Sequence, residues 1–480
     1  MLFNSIEFLV FLPIVFLLYW FVFCSRRKQN LFLVIASYVF YGWWDWRFLL
    51  LISLTSLCSY SSGILIGRRN SWPGGGKFLA AVNIVFNLII LGVFKYYNFF
   101  MENFEALFQS IGYQMDWVSL DVVLPVGISF YTFQALSYTI DVCKKKIKPT
   151  YDIVEFFAYI SFFPQLVAGP IERATNLLPQ FQKERQFVYE KAVDGMRQML
   201  WGFFKKLVVA DNCAYAVNNF WDTYNQLPGF TIILIGVLFS FQIYCDFSGY
   251  SDIAIGTARL FGFNLMRNFN YPYFSRSIPE FWRRWHISLM TWFRDYIYFP
   301  LGGNRCVQWK VIRNTLIVFL ISGLWHGANW TFIIWGLYHA SLVAFFVMMG
   351  VNTKIKDNLV TRSWCSSIKE YSLIVVTFLL VTFGWIIFRA ENLTQFLDII
   401  KAMLTNDFFD SSQIYGKKFL INVLVLLIIE WFQRDKQHAL QLPNNRLFRH
   451  QSIRWSLYVT LYVYIISATG TSQTFLYFQF

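Results

Sequence analysis

Apolar runs of about 20 residues recur along the whole chain, and this recurrence constrains the fold more than any other feature. A run of that length crosses the hydrocarbon core of a bilayer as an α-helix. Only 14% of the 480 residues are charged, whereas a soluble domain carries about 25%. The alternation typical of a membrane β-barrel is absent. The sequence therefore predicts an all-α, polytopic integral membrane protein with roughly ten to twelve transmembrane helices.

Basic clusters follow the first, third and fifth apolar runs and predict the orientation of the chain. They are Arg26-Arg27-Lys28, Arg68-Arg69 and Lys144-Lys145-Lys146. Because short cytoplasmic loops carry an excess of Lys and Arg, these clusters indicate an N-terminus outside. The first run lacks a preceding basic segment, so we interpret it as a membrane helix and not as a cleavable signal. Such loops, with anionic membrane lipids as partners, account for the net charge of +14, and no nucleic-acid partner is predicted.

We expect a single membrane-embedded domain over residues 1–480. It would comprise N-terminal helices (1–141), a catalytic core with the motif histidines (142–350) and C-terminal helices (351–480). The apolar run 156–167 is too short to span comfortably, so it is predicted to be a re-entrant or interfacial element. No internal repeat is visible in the hydropathy or the motifs, which weighs against a secondary transporter.

The familiar motifs of soluble catalytic and metal sites are absent. Seven cysteines are scattered without a C-x-x-C pair, and we interpret them as small buried hydrophobic residues. The chain has no G-x-x-x-x-G-K-[ST] loop, no G-x-S-x-G motif and no H-E-x-x-H motif. The sequence thus predicts no metal site and no tightly bound cofactor.

Residues 244–339 contain three of the five histidines, among arginines and tryptophans. Ionisable residues in an apolar membrane context mark function by default. His326 stands between Gly323 and Gly327, whose size allows a substrate or a second helix to approach. A buried, neutral imidazole can act as a general base toward a hydroxyl or thiol. On a continuous helix, Asn329 would share its face. The alternative is a core histidine that is hydrogen-bonded between helices.

The second histidine of interest, His286, ends the sequence Trp282-Arg283-Arg284-Trp285-His286. Two interpretations of the arginines and tryptophans stay open. They could form a basic, aromatic-lined mouth for an anionic donor, because guanidinium groups suit phosphates and carboxylates. They could equally anchor the chain at the membrane interface. His339 lies thirteen residues beyond the first candidate base, and we interpret it as structural.

Asp246 and Asp252 flank a short glycine-containing motif in an apolar context. One of them could fix the tautomer of a histidine or pair with one of the two arginines. A structural ion pair is the alternative. His438 and His450 lie in a polar loop and are predicted to be solvated.

Five short motifs occur together in this chain. They are Phe163-Pro-Gln-Leu-Val-Ala-Gly-Pro170, Asp246-Phe-Ser-Gly-Tyr-Ser-Asp252, Glu280-Phe-Trp-Arg-Arg-Trp-His286, Tyr298-Phe-Pro-Leu-Gly-Gly-Asn304 and Leu324-Trp-His326-Gly. Together they resemble the membrane-bound O-acyltransferase family. Within it, they are similar to the bacterial branch of alginate O-acetylation and teichoic-acid D-alanylation membrane proteins. The resemblance extends over most of the chain.

The resemblance implies an O-acyltransferase in a bacterial cytoplasmic (inner) membrane, with a many-helix fold and a central tunnel. His326 would be the invariant histidine of the family and His286 its second histidine. The other candidate residues would support these two or line the tunnel: Asp246, Asp252, Trp282, Arg283, Arg284, Trp325 and Asn329. Such proteins often pass the acyl group to a separate extracytoplasmic O-acetyltransferase.

Our hypothesis from the sequence is transfer of an acetyl group, with acetyl-CoA as donor, for O-acetylation of a cell-surface or exported polysaccharide such as alginate. The donor could instead be a carrier-protein thioester. The acceptor could be peptidoglycan, teichoic acid or a lipid. An alternative of another class is a polysaccharide or lipid transporter, in which both histidines line a pathway.

Overall fold

The computed structural model describes residues 1–69, 74–120, 123–167, 169–350, 368–408, 419–442, 448, 450–470, 473 and 475–476. All regular elements of this part of the chain are helical. Residues 351–367 of the predicted C-terminal helices lie outside it. The α-helices are α1 (Ile6–Leu17), α2 (Arg26–Gly42), α3 (Arg47–Arg69), α4 (Gly75–Leu91), α5 (Tyr97–Ser110), α6 (Ile128–Cys143), α7 (Ile153–Ser161), α8 (Phe163–Leu166), α9 (Ala174–Phe181), α10 (Tyr189–Phe203), α11 (Asp211–Trp221), α12 (Gly229–Leu260), α13 (Ile278–Arg284), α14 (Ile287–Phe293), α15 (Gln308–His326), α16 (Trp330–Met348), α17 (Ile368–Arg389), α18 (Leu393–Thr405), α19 (Leu420–Gln433) and α20 (Gln451–Ala468).

Several of these helices are long and apolar enough to cross a membrane. Among the described residues, the five such stretches are Arg47–Arg68, Gly75–Ser110, Gly229–Leu260, Trp330–Met348 and Ile368–Arg389. Two further apolar helical stretches, Ile6–Val22 and Leu420–Gln433, are shorter. These helices confirm the predicted all-α, multi-pass membrane fold. The number of ten to twelve spans and the central tunnel stay predictions.

The described residues divide into two compact units. The first consists of Met1–Gly195 with Thr257–Met266. In it, the run 156–167 is split between α7 and α8 instead of forming one long helix, and its side chains are mostly buried. Asp152 caps α7 by accepting a hydrogen bond from the N–H of Val154 over 2.9 Å. That this element is re-entrant stays a prediction.

The second unit consists of Met196–Gly256 with Arg267–Phe480. Within it, α15 and α16 pack closely because each has a glycine at the contact. A Cβ atom at Gly323 would overlap the carbonyl oxygen of Phe332, and one at Gly336 would overlap that of Phe319. The expectation that small residues near His326 let another helix approach is therefore confirmed.

Candidate functional site

His286 lies at the junction of α13 and α14, in a left-handed backbone conformation with φ of +43°. The start of α13 is fixed by Ser277, whose hydroxyl accepts a hydrogen bond from the N–H of Glu280 over 3.3 Å. Beyond the junction, the N–H of Ile287 donates to the carbonyl oxygen of Asn268 over 2.8 Å. A positive φ in a non-glycine residue costs free energy and persists only where the surroundings hold it. The fold thus fixes this histidine through its backbone.

The imidazole of His286 is only 1% exposed. Its Nδ1 lies 3.2 Å from Oδ1 of Asn268. The rings of Phe247 and Phe269 have centroids 4.6 and 6.4 Å from that of the imidazole, and Trp325 follows at 5.8 Å. Burial lowers the pKa of His286 to about 3, because desolvation disfavours the charged form. The imidazole is therefore neutral at pH 7.

His326 is the last residue of α15 and is also buried. Its ring centroid lies 5.0 Å from that of Trp325, which also contacts the ring of His286. Trp335 of α16 and Phe388 of α17 pack against the same imidazole, with centroid distances of 5.1 and 5.3 Å. The structure thus places both motif histidines in one aromatic cluster, with Trp325 in contact with each of them.

The helix does not continue past His326, and the predicted place of Asn329 is therefore wrong. Gly327 adopts an extended conformation that ends α15. Asn329 instead caps α16, since its Oδ1 accepts a hydrogen bond from the N–H of Thr331 over 3.0 Å. Its Nδ2 donates to the carbonyl oxygen of Glu391 over 2.7 Å. The side chain stabilises the turn between the two helices.

Asp246 and Asp252 pair with lysines. The suggested pairing of one of them with Arg283 or Arg284 is therefore wrong. Asp246 lies 2.7 Å from Nζ of Lys206, which also contacts Asp211 at 2.8 Å. Asp252 lies 2.6 Å from Nζ of Lys205. The side chains of both ion pairs are largely buried. The two lysines are adjacent in the chain, and the two aspartates both lie on α12. The structural ion pair, which was the alternative interpretation, describes both aspartates.

Arg283 and Arg284 point to different environments. Arg284 lies 2.6 Å from Glu280 on the same helix, and Arg276 reaches the same carboxylate at 3.3 Å. Arg284 therefore stabilises α13 and its start. Arg283 is exposed and lines a large groove together with Trp282. Of the two arginines, only Arg283 therefore remains a candidate for the mouth that would bind an anionic donor.

The groove has a volume of about 1130 Å³ and lies on the face of α13, α14 and α15. Arg283, Arg294 and Arg305 line it, and none of its described lining residues is acidic. Arg294 also contacts the neighbouring Asp295 at 2.9 Å. Ile287, the residue after His286, belongs to the wall of the groove. The wall of this basic, partly apolar groove therefore includes the residue that follows His286 in the chain.

The wall of this groove also connects to the other histidine. Trp282 lines the groove and packs against Trp335, with ring centroids 5.6 Å apart. Trp335 in turn contacts His326. His339 is fully buried against the same two indoles, at 4.9 and 5.1 Å, and its interpretation as structural stays a prediction.

One histidine of the C-terminal region differs from the expectation. His438 is only 2% exposed, so its predicted solvation is wrong. It lines a cavity of about 20 Å³ beside Lys205, Asp252 and Glu430, a space that fits about one water molecule. Local polarity cannot reveal such burial, because it depends on the residues that fold over the loop. His450 is exposed, as predicted.

Sequence reasoning missed three buried polar residues near the site. Lys205 and Lys206 neutralise the aspartates of α12, and Asn268 contacts His286. The signal for the lysines was two adjacent charges within an otherwise apolar run. The signal for Asn268 was weaker, since an asparagine before a proline-containing turn is usually a turn residue.

Comparison with known proteins gives this arrangement a family. The profile of the membrane-bound O-acyltransferase family, MBOAT, matches residues 76–383. The chain is 41% identical to the probable alginate O-acetylase AlgI of Pseudomonas aeruginosa over 406 residues, which cover 84% of this chain and 75% of that protein. It is 36% identical to the peptidoglycan O-acetyltransferase of Helicobacter pylori over 84% of this chain and 80% of that protein.

A more distant relative is the teichoic acid D-alanyltransferase of Bacillus subtilis. It is 30% identical over 286 residues, which cover 55% of this chain and 69% of that protein. The matched region of the family contains both motif histidines, the ion-paired aspartates of α12 and the basic groove. The chain therefore belongs to the membrane-bound O-acyltransferase family.

Proposed function

We propose that this O-acyltransferase takes an acetyl group from a cytosolic thioester and delivers it for O-acetylation of a cell-surface or exported polysaccharide. The observation that carries the proposal is the basic groove whose wall includes Ile287, the residue after His286, and Trp282, which packs against Trp335 and through it against His326. An alginate-like acceptor is supported by the identity to the probable alginate O-acetylase AlgI over most of the chain. The transporter alternative has no comparable support, because the relatives are named as acyl-transferring enzymes.

The proposed donor is acetyl-CoA. Its phosphates would bind the guanidinium groups of Arg283, Arg294 and Arg305, since arginine forms bidentate, charge-assisted hydrogen bonds to phosphate. The remaining wall is mostly apolar and aromatic, which suits the adenine ring and the pantetheine arm. An acetylated carrier protein would present the same pantetheine arm but fewer phosphates.

In the proposed reaction, the hydroxyl oxygen of the acceptor attacks the thioester carbonyl carbon and the carbon–sulfur bond breaks. His326 acts as general base and takes the hydroxyl proton, which then leaves with the CoA thiol. His286 assists at the same carbonyl or hydroxyl. Both imidazoles are buried, so water competes poorly with the acceptor hydroxyl.

The proposal places the protein in the bacterial cytoplasmic (inner) membrane with its N-terminus outside. It is supported by the basic clusters after α1, at the end of α3 and after α6. A separate extracytoplasmic O-acetyltransferase would supply the acceptor hydroxyl, receive the acetyl group and complete its transfer to the polysaccharide. That partner is expected from the family resemblance of the motifs.

The test uses purified protein in nanodiscs with radiolabelled acetyl-CoA and envelope extract. His326→Ala should lower thioester consumption by about two to four decades, the usual effect of removing a general base. The matched control is His450→Ala, because His450 is exposed and distant in sequence from the motifs. Consumption that His326→Ala leaves intact, in protein of normal abundance and thermal stability, would refute the assignment.

A second acceptor is favoured by one comparison, since the peptidoglycan O-acetyltransferase of Helicobacter pylori is 36% identical over 84% of this chain. Acetyl analysis of purified peptidoglycan and of exported polysaccharide from wild-type and His326→Ala cells distinguishes the two. Loss of acetyl groups from exported polysaccharide alone supports the first proposal, and loss from peptidoglycan alone supports the second.

A further inference from the structure

The side-chain amide of Asn268 is almost fully buried and contacts groups on three sides. Its Oδ1 accepts a hydrogen bond from the hydroxyl of Ser288 over 2.7 Å and one from the N–H of Ser288 over 3.4 Å. Its Nδ2 donates to Oγ of Ser251 over 3.1 Å. A backbone N–H can only donate, so the amide atom that faces Ser288 must be the oxygen. The orientation of this amide is thereby fixed.

The fixed amide determines the state of the neighbouring imidazole. Nδ1 of His286 lies 3.2 Å from Oδ1 of Asn268, and a carbonyl oxygen can only accept a hydrogen bond. Nδ1 must therefore carry a hydrogen. In a neutral imidazole, a hydrogen on Nδ1 leaves the lone pair on Nε2. The geometry thus selects one of the two neutral tautomers.

The amide is itself held from α12. Ser251, which accepts from Asn268, precedes Asp252 on that helix. Asp252 is fixed by Lys205 at 2.6 Å and by Nε2 of Gln198 at 2.7 Å. These contacts hold Asp252 in place, and Asp252 is the neighbour of Ser251, which orients the amide of Asn268. Fixing a histidine tautomer was one of the roles considered for Asp246 or Asp252, and in the structure Asn268 contacts the imidazole instead.

We propose that Asn268 is a positioning residue that holds His286 as the Nδ1–H tautomer, so that Nε2 accepts a hydrogen bond from the acceptor hydroxyl. This role rests on the proposed function and deepens it, because it assigns His286 to orienting the acceptor hydroxyl as that hydroxyl binds. The hydroxyl has a single hydrogen, which turns from Nε2 of His286 to His326 when the oxygen attacks, so only His326 takes the proton. Phe247, Phe269 and Trp325 pack on the imidazole, and none of them carries a charge near neutral pH. The side chains near Asn268 that are charged or titrate near neutral pH are those that line a small cavity with it: Lys205, Asp252, Arg267, Glu430 and His438. A protonated His286 would lose the lone pair on which this role depends.

The first experiment observes the tautomer directly and needs no turnover. Protein labelled with ¹⁵N-histidine is reconstituted in lipid, and its solid-state NMR spectrum is compared with that of His286→Gln to identify the signals of His286. We expect a protonated Nδ1 and an unprotonated Nε2 at pH 7. An Nε2–H tautomer or an imidazolium would overturn the proposal, even if the acetyltransferase activity is confirmed.

The second experiment measures kcat as a function of pH for Asn268→Leu and Asn268→Asp. The leucine is close in size but accepts no hydrogen bond, so kcat should fall at least about tenfold. The aspartate still accepts from Nδ1–H but adds a negative charge, which favours the imidazolium. Asn268→Asp should therefore retain more activity than Asn268→Leu at pH 8 and lose it as the pH falls below about 7.

The matched control is Asn422→Leu, since Asn422 is also a buried asparagine with two hydrogen bonds, to Val208 and from Tyr464. It should change thermal stability without a new acid limb in the pH profile. Equal activities of the two Asn268 variants with the wild-type pH profile would mean that Asn268 is merely structural. In that case the proposal fails while the acetyltransferase assignment stands.

Discussion

Replacing Lys206 by methionine should destabilise the second unit strongly. The ammonium group is almost fully buried, and it lies 2.8 Å from Asp211 and 2.7 Å from Asp246. Burial alone would lower the pKa of Lys206, but the two carboxylates outweigh it and raise the pKa above its usual value. The lysine is therefore charged, and its loss leaves two carboxylates buried without their counter-ion.

The magnitude follows from the burial of the partners. Asp211 is 1% exposed and Asp246 is 3% exposed, so neither carboxylate can turn to water. Removing one partner of a buried ion pair typically costs about 3–5 kcal/mol. The variant Lys206→Met should therefore lose about that much free energy of unfolding. Adding Asp211→Asn and Asp246→Asn should recover most of the loss, because no unpaired charge then remains.

The assay is equilibrium unfolding in mixed detergent and SDS micelles, followed by intrinsic tryptophan fluorescence. The control is Lys144→Met, since Lys144 is exposed and its removal should change the free energy by less than about 0.5 kcal/mol. Equal stability of the Lys206 and Lys144 variants would refute the reasoning. A triple variant no more stable than Lys206→Met would show that the lost charge balance is not the cause.

Three further predictions concern pH and packing. Burial raises the pKa of Glu172 from its usual 4.5 to about 7 in the folded state, so the cost of the buried carboxylate grows as the pH rises from about 4.5 and is complete above about 7. Glu172→Gln should therefore raise the melting temperature more at pH 8 than at pH 5, where the folded wild type is still protonated. The lowered pKa of His286 acts in the opposite direction. The stability that comes from burying the neutral imidazole is complete above about pH 6.5, and it is lost as the pH falls below that value. Wild-type protein should lose about 2 kcal/mol from this residue between pH 7 and 5, and His286→Gln should lack that component in the same unfolding assay. Gly336→Ala would overlap the carbonyl oxygen of Phe319 and should cost about 1–3 kcal/mol, whereas Gly92→Ala, with open space around it, should be neutral by the same measurement.

The helices were predictable because their signal is local. The recurring apolar runs include two long helices, Arg47–Arg69 and Ile368–Arg389. Each such run contains enough apolar residues to form a membrane helix without reference to the rest of the chain. The family motifs likewise identified both histidines, which the structure places in one aromatic cluster.

The partners of the charged residues were not predictable from the same information. Asp246 was considered as a partner of an arginine, but its lysine lies forty residues earlier in the chain. Asn329 was placed on the face of His326 because nothing in the spacing marks the end of the helix. Gly327 ends the helix by adopting an extended conformation, and a Cβ atom at that position would overlap the ring of Phe332. Such facts depend on tertiary packing, which residue spacing does not encode.

The end of α15 has a consequence for how charge moves during acetyl transfer. His326 is the final residue of a 19-residue helix, where the unpaired carbonyl groups create a partial negative charge. That field stabilises a positive imidazolium at the moment when the base holds the hydroxyl proton. His286 lies between the end of α13 and the start of α14, two helices of seven residues each, so the opposite fields of these two ends act on its ring. The end of the long helix α15 therefore favours a transferred proton on His326.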